Sequence, residues 1–202
     1  MFRFLRVGRA VAFGARAGVL AVQKRRDLGP ALHRGAALVT VVKPGEERSP
    51  GETTWSNLVE WAGNQTAAWY HASNVSRDQF LELASAAGIP ERDREHFPEL
   101  DGRAQTKSDE SATTLFLWLP TITEDGFPRM SRNRLLMRVS ANGVLTATSF
   151  PFDLTDALAQ RTAEEFPTVA LPVRTAYRVL ALLRDRYKFV TDRYEDEIHR
   201  LE

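Results

Sequence analysis

The stretch LLMRVSANGVLTATSF, residues 135–150, decides the fold class. Two apolar runs, Leu135 to Ser140 and Val144 to Phe150, flank Ala141-Asn142-Gly143. Asn-Gly between two such runs is the best short hairpin signal a sequence offers, so these residues predict two antiparallel strands. Upstream, Thr113 to Leu119 is a nearly continuous apolar run stopped by Pro120, which predicts a strand buried on both faces. Further upstream the apolar period changes to that of a helix. Ser76 and Gln79 form a capping-box signature, in which each side chain satisfies an orphan backbone N–H. Phe80, Leu81, Leu83, Ala84 and Ala87 then give one apolar face, Gly88 suits the left-handed position past a helix end, and Pro90 stops continuation. Helix and strand signals interleave. The fold class is therefore α/β (α+β), a mixed β-sheet sandwiched by helices.

Toward the N-terminus, Ala37 to Val42 reads as a strand ended by a Lys43-Pro44-Gly45 turn. A polar loop from Glu46 to Gly51 follows. Trp55, Leu58, Val59 and Ala62 have helical spacing, which Gly63-Asn64 stops, and Ala67 to His71 predicts a short strand centred on Trp69. Residues 91–110 are polar and poor in β-branched side chains. Toward the C-terminus, Asp153 is placed to cap a helix from Leu154 to about Glu165, and Pro167 and Pro172 bracket a connector. From Val173 to Glu202 there is no Gly or Pro. Tyr177, Leu180, Leu183, Tyr187, Val190, Tyr194, Ile198 and Leu201 recur at steps of three and four. They predict a long amphipathic helix of roughly 45 Å at ~1.5 Å per residue. A periodic pattern of this length implies a partner helix or an oligomer seam. It reaches the last residue without a C-cap, so the expectation is a fragment of a longer protein.

Three parts result: a basic tail at 1–36, a sandwich domain at 37–172 and a helical region at 173–202. The tail holds Arg3, Arg6, Arg9, Arg16, Lys24, Arg25, Arg26 and Arg34 against the single acid Asp27. Interleaved Phe2, Phe4, Leu5, Val7, Val11, Phe13, Val19 and Leu20 give it amphipathic character. Such a segment reads as an organelle targeting peptide, a surface helix on anionic lipid, a disordered basic tail or sequence upstream of the true start. All four readings stay open at this point.

Composition narrows the function. The 202 residues carry 27 Lys plus Arg and 26 Asp plus Glu, which argues against a wholesale nucleic-acid binder. There is no Cys, which excludes a disulfide scaffold, a thiolate zinc site and a thiol nucleophile. No run of about 18 apolar residues is present to span a membrane. A Gly-x-Ser-x-Gly elbow, a glycine-rich phosphate loop and a dinucleotide fingerprint are also missing from the sequence. No residues at catalytic spacing emerge, so the expectation is a protein that is not an enzyme.

The four His residues, His33, His71, His96 and His199, lie far apart and read first as structural or surface groups. Carboxylates are the dense candidates. Asp192, Glu195, Asp196, Glu197 and Glu202 lie on the last helix, where Asp192 and Asp196 share a face at i, i+4. Oxygen ligands of this kind suit Mg²⁺ or Ca²⁺. Glu91, Asp93, Glu95, Glu99 and Asp101 form a second acidic group. Arg92, Arg94, Arg193 and Arg200 are interspersed, so both groups also read as solvated charged faces.

The order of these pieces resembles the cytoplasmic domain of the CorA family of divalent-metal transporters. In that family a Trp-bearing strand leads into a helix ending in Gly-Ile-x-Pro; here Trp69 precedes the helix from Ser76, then Gly88-Ile89-Pro90. The family's acidic helix and Arg-Pro-Lys element correspond to Glu95-His96 and a degenerate Arg103 to Lys107. Next come the apolar strand Leu115 to Pro120, the hairpin Leu135 to Thr148, and a long helix with Tyr187 and an ending Asp196 to Glu202. The likeness covers roughly residues 37–202. It implies a homopentamer whose subunits bind regulatory Mg²⁺ between them and close an ion channel. It also implies a position on the cytoplasmic side of the inner (cell) membrane, with the mitochondrial inner membrane as the lesser alternative. Attachment would be through C-terminal membrane helices that lie outside this sequence, and no nucleic acid is involved. Glu95 or His96 would stand at the family's sensing carboxylate. His96 in place of the usual Asp brings in Zn²⁺, as in ZntB-like zinc transporters, since imidazole suits Zn²⁺ better than Mg²⁺; Co²⁺ is a further candidate. The metal candidates are thus Glu95, His96, Asp192 and Asp196. The alternative is a non-transporting interaction module of the same fold.

Overall fold

The structure is a computed structural model. It describes residues 36–46, 48–64, 66–94, 104–119, 121–122, 128–129, 134–152, 154, 158 and 167–201. Seven strands form one mixed sheet in the order β2-β1-β3-β9-β8-β5-β4. They are β1 (Leu38–Val42), β2 (Gly51–Thr53), β3 (Ala68–Ser73), β4 (Gln105–Ser108), β5 (Ala112–Trp118), β8 (Arg134–Ser140) and β9 (Gly143–Thr148). β3 and β9 pair in parallel, with His71 opposite Thr146, and the other neighbours are antiparallel. β6 (Thr121–Ile122) and β7 (Pro128–Arg129) pair as a separate two-stranded ribbon. The helices are α1 (Trp55–Asn64), α2 (Arg77–Ala86), the short α3 (Glu91–Arg94) and α4 (Leu171–Leu201).

The sheet has an apolar cluster on each face. Alternation along β3 sends Ala68, Tyr70 and Ala72 to α1 and α2, where they meet Leu58, Trp61, Phe80 and Leu83. Trp69 goes to the opposite face with Leu135, Met137 and Val144, against Val179 and Leu183 of α4. α1 and α2 are held at their ends as the residues dictate. Ser76 and Gln79 make the reciprocal capping box. At the other end of α2, Gly88 N–H donates to the Ser85 carbonyl and Ile89 N–H to the Ala84 carbonyl. Gly88 has φ +72° and Ile89 is buried, which completes a Schellman motif.

Three expectations need correction. β5 is buried on one face only, through Ala112, Thr114 and Phe116. It lies beside the edge strand β4 and only its inner face is fully covered, whereas α4 covers β3, β8 and β9. Burial on both faces belongs to the central strands instead, most completely to β9, where all six residues are buried. The hairpin is closed over Ala141 and Asn142, and neither Asn142 nor Gly143 has a positive φ, so it is not the left-handed Asn-Gly turn. Gly143 is required for space instead. A Cβ there would lie 2.6 Å from the Trp61 ring and 3.0 Å from the Ala68 carbonyl. Finally, α4 begins at Leu171, two residues before the expected start; Pro172 sits in its first turn, where no N–H is needed. The expected helix from Leu154 to Glu165 lies largely outside the described residues, as does the tail apart from Ala36.

Candidate metal and assembly site on the long helix

Helix α4 has 31 residues and two apolar faces. Leu171, Val179 and Leu183 turn inward and pack on the sheet with Trp69, Met137 and Phe152, and Val190 is buried as well. The Arg186 guanidinium covers the Phe152 ring at 4.4 Å. The second face is the seam that the length of the periodic pattern implied, although spacing alone does not say which residues form it. Val173, Leu180, Tyr187, Tyr194 and Leu201, each seven residues apart, remain exposed, from 36% at Tyr187 to 88% at Leu201. Tyr177 and Ile198 extend that stripe. The periodicity thus merges a core face with an outer seam of coiled-coil period.

Tyr187 ties the two faces together. Its hydroxyl donates to the Trp118 carbonyl at 2.8 Å, and burial pushes its phenol pKa up. Trp118 in turn carries the Arg134 guanidinium over its ring at 4.9 Å. Beyond Val190 the helix leaves the sheet. Residues 191–201 are exposed apart from half-buried Glu197, a projection of about 15 Å at ~1.5 Å per residue.

Asp192 and Asp196 both lie on this projecting end and are exposed. Asp192 accepts from Lys188 Nζ at 3.3 Å, and Glu197 accepts from Arg200 at 2.7 Å. Two carboxylates one turn apart offer a fraction of the six or more oxygen ligands that Mg²⁺ or Ca²⁺ takes. Among the described residues no three His, Asp or Glu side chains come together to hold a metal. A metal at Asp192 and Asp196 therefore needs ligands from another subunit or from water. Glu95 and His96 lie outside the described residues. Their described neighbour Asp93 is buried and faces Lys107 Nζ at 3.5 Å, so it serves as an ion-pair partner.

His71 is committed to the core. Its Nε2–H donates to the Phe152 carbonyl, and its Nδ1 lies 3.0 Å from the Thr146 hydroxyl, which also accepts from Trp69 Nε1 at 2.9 Å. Both ring nitrogens are occupied, so His71 is structural. His199 lies exposed on the last turn of α4.

Buried arginines are the feature that sequence reasoning missed. Arg134, Arg138, Arg174 and Arg186 are all buried. Arg138 crosses the inner face of the sheet, donating to Thr114 Oγ1 at 2.7 Å and to Asp109 at 2.9 Å. Asp109 also accepts from the Ser111 hydroxyl and from the backbone N–H of Ser111 and Ala112. Led by the Ser111 hydroxyl, these donors and the Arg138 guanidinium outweigh burial and hold its carboxyl far below the usual carboxylate range. The available signal was an Arg inside an apolar strand, which must find an acid when the strand is buried.

Residues 64–202 match the family described as CorA-like Mg2+ transporter protein. The chain belongs to the CorA-like family. Among solved structures, the soluble domain of CorA from Methanocaldococcus jannaschii matches at TM-score 0.50 and 14% identity, over 81% of this chain and 62% of that one. The full-length CmaX protein matches at TM-score 0.55 and 14% identity, over 83% of this chain and 52% of that one. The ZntB cytoplasmic domain from Vibrio parahaemolyticus matches at TM-score 0.57 and 13% identity, over 83% and 66%. At these low identities the structural likeness shows the fold alone. The chain spans about half to two thirds of the length of the solved structures it matches. No curated protein matches it in sequence. Among the described residues, no helix of this CorA-like protein is long and apolar enough to cross a membrane.

Proposed function

We propose that this chain is the cytoplasmic regulatory part of a CorA-like divalent-cation transporter, acting through assembly with further copies of itself. The observation that carries this is the family match over residues 64–202. The exposed seven-residue stripe of α4 supports the assembly. On this reading the transported ion is Mg²⁺, Zn²⁺ or Co²⁺, and the attachment to the membrane lies outside residues 1–202. The protein's task is binding and assembly rather than catalysis. A divalent ion shared between subunits, with Asp192, Asp196, Glu95 and His96 as candidate ligands, neutralises like charges across the interface. It favours the closed assembly by binding that state more tightly. His96 supports Zn²⁺ as an ion to test beside Mg²⁺.

Sedimentation velocity of the full-length protein, with and without MgCl₂ or ZnCl₂, tests the proposal. The expected result is an ion-dependent shift to a larger species, pentameric by analogy with the family. Asp192→Asn with Asp196→Asn weakens the ion dependence, and Tyr194→Asp removes the association. Lowering the pH through the carboxylate range loosens ion binding because the ligands must be deprotonated. A protein that stays monomeric with every ion would sink the regulatory reading and leave a free-standing interaction module.

A further inference from the structure

We propose that Asn142 is a site of spontaneous backbone modification, forced on the hairpin by the packing of Trp61. Trp61 stacks on Tyr70 with ring centroids 4.4 Å apart and donates its Nε1–H to the Thr66 carbonyl at 2.8 Å, so the indole is fixed from two sides. Its ring lies where a Cβ of residue 143 would stand, at 2.6 Å, which allows only glycine there. Glycine adds no side chain of its own next to that nitrogen, although residue 143 is itself buried against Trp61. The preceding residue is an Asn, exposed at the turn apex.

The reaction balances with water alone. The backbone nitrogen of Gly143 attacks Asn142 Cγ, the bond from Cγ to the amide nitrogen Nδ2 breaks, and ammonia leaves carrying the proton from Gly143 N. Water then opens the cyclic imide at either carbonyl, giving aspartate or isoaspartate. The structure also supplies a restraint: Gly143 N–H donates to Ser140 Oγ at 3.0 Å, and this bond must open before attack. The product matters because of where the turn lies. Gly143 sits opposite Ala68 of β3, and the hairpin joins β8 to β9 at the centre of the sheet. Isoaspartate inserts an extra backbone carbon beside a residue that cannot move outward from Trp61. Conversion also adds one negative charge to a protein of formal net charge +1.

The test is ageing of the folded full-length protein in mildly alkaline buffer, followed by isoelectric focusing and peptide mapping by mass spectrometry. Conversion at Asn142 is expected to run severalfold faster than at Asn57 and Asn74, with isoaspartate and aspartate both formed. Ser140→Ala is expected to speed it further, in a protein whose circular dichroism shows it folded. The aged isoaspartyl fraction should melt below Asn142→Asp, which carries the charge without the extra carbon. The proposal is overturned if Asn142 in the folded protein converts no faster than Asn57 and Asn74 while the urea-unfolded protein does convert there. Formation of aspartate alone overturns it too, since the imide route yields both products.

Discussion

Asp109 is the counter-charge of the buried Arg138. Its carboxylate accepts from Ser111 and Ala112 and from the buried Arg138 guanidinium. Asp109→Asn leaves that cation without its counter-charge, and we expect a loss of about 2 kcal/mol in urea unfolding, the scale of a charged hydrogen bond. The pH dependence has a definite sign. The folded-state pKa is depressed, so the stabilisation is whole above the unfolded value near ~4 and is lost as pH falls toward the lower folded value. Acid titration of stability in Asp109→Asn should lack that component. Gly143→Ala drives a methyl against the Trp61 ring, and overpacking of this kind costs about 1–3 kcal/mol in thermal or urea unfolding. Tyr187→Phe removes the hydroxyl bond to the Trp118 carbonyl at a cost of about 1 kcal/mol.

At the scale of the element, α4 shows what a sequence reveals and what it conceals. The steps of three and four from Tyr177 to Leu201 announce the helix. They do not separate buried residues, such as Leu183 and Val190, from those left outside, such as Leu180 and Tyr194. Spacing gives the face of one helix, whereas the choice between adjacent faces belongs to the sheet it packs on. The capping box and Schellman end of α2 are fully legible because both are local hydrogen-bonding patterns of a few residues. β4 is not: Gln105 to Ser108 are polar, and an exposed edge strand needs no apolar pattern. Of the candidate site, the sequence places Asp192 and Asp196 correctly on one helix, but it does not disclose the salt bridge to Lys188. The two kinds of α4 residue should behave differently. Leu183→Ala should cost about 2–4 kcal/mol by opening a core cavity, whereas Leu180→Asp should stay within about 0.5 kcal/mol in the monomer. Urea unfolding at dilute protein concentration distinguishes them.

For the whole molecule, stability should fall along α4 beyond Val190. Amides from 192 to 201 are expected to exchange with deuterium well before those from 175 to 190, since few contacts hold them to the sheet. Charge is also unevenly shared. With eight cations and one acid in residues 1–36, the remainder holds 19 basic and 25 acidic residues and is an anion. Removing residues 1–36 should therefore move the isoelectric point from about 8.1 to the acid side of neutrality, as focusing would show.

The single parallel pair in the sheet has a kinetic meaning. On one side of it, β1 meets β2 through a short loop and β3 by way of β2 and α1; on the other, β9, β8, β5 and β4 follow one another as neighbours. Each side can form early from nearby segments. Only the β3–β9 register, with His71 opposite Thr146 across 75 residues, closes a long loop. Closure of that loop is the slow event in assembling the sheet. Thr146→Val, which removes the hydroxyl shared by Trp69 and His71, should slow refolding more than it hastens unfolding, a split that a chevron plot resolves.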